Sequence, residues 1–129
     1  MTGEVLLDTN IVVALLENEP AALGRFEQQG EASISIVTLG ELLFGAEKSQ
    51  RANENRQRAE AFADGCTVRS VGRETARRYS VIKNQLRQKG RPIPENDIWI
   101  AATAQEHGLV LVTRDPHFEE IDGLALEAW

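Results

Sequence analysis

Four carboxylates in this chain have the types and spacing to act together: Asp8, Glu41, Asp97 and Asp115. Asp8 follows the apolar run Val5-Leu6-Leu7 and precedes Thr9-Asn10. Glu41 falls five residues after a second run, Ala32 to Ile36, and Asp97 sits in the first turn of a helix that opens near Pro94. Asp115 lies three residues past the run Leu109 to Val112. Each has a local explanation. Asp8 or Thr9 can cap a following helix, and Thr38-Leu39-Gly40-Glu41 matches a capping box. Asp97 is favoured by a helix dipole, and Asp115-Pro116 suits a turn. Convergence would change their meaning, because two like charges 4 Å apart repel by about 4 kcal/mol at an effective dielectric near 20. The last lysine is Lys89, so no ammonium follows to neutralise Asp97 and Asp115. Such a cluster calls for a hard divalent cation, and oxygen-only ligands point to Mg²⁺ or Mn²⁺ rather than Zn²⁺. A cation held that way is suited to phosphodiester hydrolysis.

The elements around these acids alternate. The periodicity predicts strands at Val5–Leu7, Ala32–Ile36, Cys66–Val71 and Leu109–Val112, with a short fifth at Leu124–Ala128. Between them it predicts helices over Thr9–Glu17, Pro20–Gln29, from Thr38 onward, Ala52–Ala63, Gly72–Lys89 and Pro94–His107. The long helix is expected to bury Ala76, Tyr79, Ile82 and Leu86. Strands alternating with helices predict one α/β domain over residues 1–129, a mainly parallel sheet of four or five strands with helices on both faces. In such sheets ligands gather beyond the carboxyl ends of the strands, where the four acids are expected to sit.

The chain has 129 residues, 42% hydrophobic and 26% charged, with one cysteine, which excludes a disordered chain or a disulfide scaffold. Its formal charge is −6, which on its face disfavours a nucleic-acid partner. The charge is unevenly distributed, however. From Lys48 to Arg91, 12 cations face 4 acids, a balance of +8, while the remainder carries 2 cations against 16 acids, or −14. Arg73, Arg77, Lys83, Arg87 and Arg91 share the outer side of the long helix and are candidate nucleic-acid phosphate contacts, as is Arg114 beside Asp115. The bland alternative is a solvated, self-paired helix face. No apolar run approaches the ~20 residues of a membrane span, and with no signal segment the expected location is the cytoplasm. Cys66 reads as a buried, inert strand residue. Trp99 suits a core or interface better than a base stack, and His107 suits a helix C-terminus. His117 could shuttle protons but more often such a residue packs or caps a turn.

Leu6-Leu7-Asp8-Thr9-Asn10, Thr38-Leu39-Gly40-Glu41-Leu42, Asn96-Asp97-Ile98-Trp99-Ile100-Ala101-Ala102 and Val112-Thr113-Arg114-Asp115-Pro116-His117-Phe118 together resemble the motifs of PIN-domain ribonucleases. They stand in family order across nearly the whole chain, and the size is similar to the VapC-type toxins of bacterial toxin–antitoxin pairs. The resemblance implies a parallel α/β/α sandwich, RNA cleavage with Mg²⁺ or Mn²⁺, and metal ligands Asp8, Glu41, Asp97 and Asp115. It makes Asn10, Asn96 and Thr113 the candidates to orient those ligands or water. It also implies a homodimer and a cognate antitoxin whose peptide covers the cleft, with Leu42-Leu43-Phe44 as a candidate groove or dimer contact. The alternative is a PIN-fold module that binds RNA or protein without efficient cleavage; the intact set of four acids argues against it. A phosphorelay receiver would need a late lysine, and an Asp-nucleophile phosphatase would need a second acid where Asn10 stands.

Overall fold

A short, wholly apolar strand such as Val5–Leu7 is satisfied only by burial on both faces, and that is where it sits in the fold. The computed structural model describes residues 4–129. Five strands, β1 (Val5–Leu7), β2 (Ala32–Ser35), β3 (Thr67–Arg69), β4 (Val110–Val112) and β5 (Leu126–Glu127), form one sheet in the order β3-β2-β1-β4-β5. Every pairing is parallel; β1 sits centrally, with Leu6 opposite Ser33 on one side and Leu111 on the other. The helices are α1 (Thr9–Leu16), α2 (Pro20–Gln29), α3 (Ile36–Glu47), α4 (Ala52–Asp64), α5 (Arg73–Lys89) and α6 (Glu95–Glu106).

Alternation along β1 divides the core. Val5 and Leu7 pack with Ile11, Val12 and Leu15 of α1, Ala22 of α2, Leu42 of α3 and Ala59 and Ala63 of α4. Leu6 faces the other way, onto Ile82 and Leu86 of α5 and the apolar side of α6. The result is the expected three-layer arrangement, with helices on both faces of a parallel sheet. Among the described residues no helix is long and apolar enough to cross a membrane.

Two boundaries and one buried position differ from expectation, each for a physical reason. Helix α3 begins at Ile36, because Ser35 at the end of β2 takes the cap and accepts from the Val37 amide at 3.0 Å. Glu41 is therefore in the second turn, and the Thr38–Glu41 capping box does not form. On α5 the buried member of the first turn is Thr75, not Ala76, which is exposed. The Thr75 hydroxyl accepts from the Gly72 amide and donates to Glu106 on α6, an anchor that a methyl group cannot supply. The third strand spans only Thr67–Arg69, so Cys66 precedes it and is half-buried; burial pushes its thiol up. Leu42 and Leu43 pack into the core, whereas Phe44 is exposed under the Lys48 ammonium.

Candidate active site

The site is built at the carboxyl edge of β1 and β4. The Asp8 amide bonds the Val112 carbonyl at 2.9 Å, extending the ladder by one residue and fixing where the Asp8 side chain leaves the sheet. Asp8 also caps α1: its Oδ1 accepts from the Thr9 amide at 2.9 Å. Its Oδ2 accepts from the Thr113 hydroxyl at 2.7 Å. The same Thr113 oxygen accepts from the Asp115 amide at 3.0 Å, so one threonine ties the first acid to the segment carrying the last. Asp8 is only 5% exposed.

Glu41 arrives from α3. Its Oε1 accepts from the Thr9 hydroxyl at 2.5 Å, and Thr9 is itself within 3.2 Å of the buried Thr38 hydroxyl. The other oxygen, Oε2, accepts from the Asn96 amide at 3.2 Å, so α6 holds Glu41 from the opposite side. Asp97, one residue on, stands in the first turn of α6, where a helix start favours an anion. Asp115 precedes the short 3₁₀ turn Pro116–Glu120.

His117, on that turn, joins the last two acids. Its Nε2 lies 2.7 Å from Asp97 Oδ2 and its Nδ1 lies 2.8 Å from Asp115 Oδ1. The ring packs on Phe118, which is fully buried and anchors the turn. Sequence reasoning gave His117 a minor part. The available signal was its position two residues after Asp115 on a tight turn, but nothing local shows that Asp97 lies across from it.

The electrostatics show that the acids share one neighbourhood. Burial raises the Asp8 carboxyl above its ordinary value; hydrogen bonds from Thr113 and Thr9 oppose this, and the charges of Glu41 and Asp115 add to it. Burial likewise raises Asp97, with further repulsion from Asp8 and Glu41 and opposition from His117. Groups held this way are ready to be relieved by a cation. The donor set fits a divalent ion: the charges of Asp8, Glu41, Asp97 and Asp115 act on one another, and among the described residues Asp97, Asp115 and His117 each offer an atom within 4.8 Å of the others, a group that does not include Asp8 or Glu41.

The remaining candidates are placed variously. Asn96 and Thr113 touch Glu41 and Asp8 directly, whereas the buried Asn10 Oδ1 has no hydrogen-bond partner among the described residues. Arg114 is turned away from the acids, forked onto Glu19 and bonded to the Trp129 carbonyl. Arg73, Arg77, Lys83, Arg87 and Arg91 are all exposed. Arg77 pairs with Glu74, Lys83 with Glu95, and Arg87 bonds Asn84. Trp99 stacks on Tyr79 at 4.0 Å between ring centroids.

Residues 5–124 match the model of the PIN domain. The chain is a PIN domain of the VapC family. It is 39% identical over 127 residues to the tRNA(fMet)-specific endonuclease VapC of Shigella flexneri, covering 96% of each chain. It is 38% identical, with the same coverage, to ribonuclease VapC2 of Haemophilus influenzae. Among solved structures, the DNA-bound VapBC of Salmonella typhimurium aligns with a TM-score of 0.92 at 34% identity, covering 100% of this chain and 99% of that one. VapBC2 of Rickettsia felis, bound to a DNA fragment from its promoter, aligns at 0.93 with 27% identity, covering 98% and 99%. This PIN domain thus shares the fold of those VapBC structures and the length of those VapC relatives.

Proposed function

We infer that this chain is the ribonuclease toxin of a toxin–antitoxin pair and hydrolyses phosphodiester bonds in RNA using Mg²⁺ or Mn²⁺. The observation that carries this is the gathering of Asp8, Glu41, Asp97 and Asp115 at one edge of a parallel sheet, in a chain whose relatives are named endonucleases and ribonucleases. Asp8 and Asp97 are the residues proposed to hold the cation directly, with Glu41 and Asp115 completing the acidic wall. A bound divalent ion supplies activation of water and neutralisation of charge on the phosphate. The chain's own contribution is orientation. Thr113 and the Thr9 amide aim both oxygens of Asp8, while the Thr9 hydroxyl and Asn96 aim both oxygens of Glu41. Likeness to VapBC complexes supports a cognate antitoxin as partner, and the same proposal includes a cytoplasmic homodimer.

Two relatives are named for tRNA(fMet), which makes initiator tRNA the first substrate to offer. Purified chain free of antitoxin should cut it with Mg²⁺ or Mn²⁺, and not with EDTA or as Asp8→Asn or Asp97→Asn. Cleavage that persists unchanged in both variants would overturn the site. Absence of cleavage of any RNA under either metal would leave a binding module instead.

A further inference from the structure

We propose that His117 supplies a nitrogen ligand to the divalent cation of this site, with Asp115 holding the ring from behind, so that the site prefers Mn²⁺ to Mg²⁺. The proposal rests on the metal-dependent function inferred above and adds a residue outside the four acids. The ring's two nitrogens face two different carboxylates: Nδ1 lies 2.8 Å from Asp115 Oδ1, and Nε2 lies 2.7 Å from Asp97 Oδ2. A metal-bound histidine characteristically donates its other ring N–H to a carboxylate, which fixes the tautomer and the ring plane. Asp115 stands in that supporting position. Asp97, the acid repelled by Asp8 and Glu41, stands on the side where a cation would be shared.

The ring is also held in place before any cation arrives. Its backbone is part of the Pro116–Glu120 turn, and the ring packs on Phe118, with centroids 4.9 Å apart. Two donors side by side on one octahedral cation with bonds of about 2.1 Å lie about 3 Å apart. The present Nε2 to Oδ2 separation of 2.7 Å therefore needs little opening to admit an ion. Carboxylates alone suit Mg²⁺ and Mn²⁺ alike, whereas imidazole suits transition ions and contributes little to Mg²⁺. One nitrogen donor thus biases an otherwise all-oxygen site toward Mn²⁺.

The test reads coordination rather than turnover. Mn²⁺ is added to the purified full chain, and electron spin-echo modulation is recorded for nitrogen-14 coupling. Mn²⁺ and Mg²⁺ affinities are measured by calorimetry for the wild type and His117→Gln. The wild type should show imidazole nitrogen coupling that disappears in His117→Gln. Mn²⁺ affinity should fall about tenfold in that variant, the order typical of losing a group at a metal site, while Mg²⁺ affinity stays within about threefold. Three results overturn the proposal: bound Mn²⁺ with no nitrogen coupling, coupling that survives His117→Gln, or tighter binding of both ions when the ring is removed. The last result would mean that the imidazole merely occupies the cation's place. Failure of the underlying function looks different: the wild type binds no Mn²⁺, or Asp97→Asn leaves its binding unchanged.

Discussion

Thr113→Val removes one hydroxyl and almost no volume, which isolates what that hydroxyl does. Thr113 is 6% exposed, donates to Asp8 Oδ2 at 2.7 Å and accepts from the Asp115 amide at 3.0 Å. Losing a buried hydrogen bond to a charged group costs about 2 kcal/mol, and stranding the Asp115 amide adds about 1 kcal/mol. For a domain of this size, roughly 3 kcal/mol lowers Tm by about 10 °C. The chemistry shifts as well. The Thr113 bond is the largest influence holding the Asp8 carboxyl down against burial, so without it the carboxyl moves further up. Asp8 then ionises at higher pH, so the loss of Mn²⁺ affinity, about tenfold for a group that orients a metal ligand, should be larger at pH 6 than at pH 8. Thermal melts and calorimetric Mn²⁺ titration at the two pH values measure both effects, with Thr113→Ser as the variant that retains the hydroxyl. A Tm within 2 °C of wild type, together with equal Mn²⁺ affinity at both pH values, would refute the assignment of Thr113 as the strut of the site.

Asp97→Asn should abolish cleavage yet raise the metal-free Tm by roughly 2–4 °C at pH 8. The raised Asp97 carboxyl means the folded chain holds its proton more strongly than the unfolded one, so metal-free stability falls as pH rises from about 4 through the folded value. The stabilisation should shrink at pH 5, and an equal gain at both pH values would contradict the burial argument. Arg114→Ala should leave RNA cleavage at low salt nearly unchanged, because the guanidinium is committed to Glu19 and the Trp129 carbonyl; a tenfold loss in cleavage would restore it as a phosphate contact. Arg73 and Arg91 are exposed on α5 and just beyond it. If they contact phosphate, the double alanine variant should flatten the salt dependence of RNA binding by up to about two in log–log slope, and an unchanged slope would remove them from the interface.

The centre of the sheet was legible because β1 and β4 are short apolar runs, each ending where a polar residue must leave the core. Val5 to Leu7 followed by Asp8, and Val110 to Val112 followed by Thr113, carry that pattern. The start of α3 was less legible. Ser35, Ile36 and Val37 look like strand by composition, and two capping residues three positions apart compete for one helix start. Tertiary burial of Ser35 decides the frame and frees Glu41 to meet Thr9 and Asn96. The stripe on α5 shifted to Thr75 because a polar anchor to α6, rather than apolar periodicity, selects the residue that faces inward. His117 was the least legible of the site residues: its two partners sit two and twenty positions away, and only the packing of the 3₁₀ turn against α6 brings them together.

The register of β1 on β4 sets the order of events during synthesis. Asp8 precedes by a long stretch the strand that completes its edge of the sheet, Val110–Val112, and the threonine that aims it lies 105 positions later. A nascent chain still short of Thr113 has β1 without β4, so its first acid has no strut and its last acid is absent. Because non-local parallel pairing forms only once both strands are available, the catalytic edge cannot be assembled piecemeal on the ribosome. Any chemistry at this edge therefore waits until residues through Thr113 have been made, so a ligand that recognises the assembled acids needs the folded domain rather than its first half.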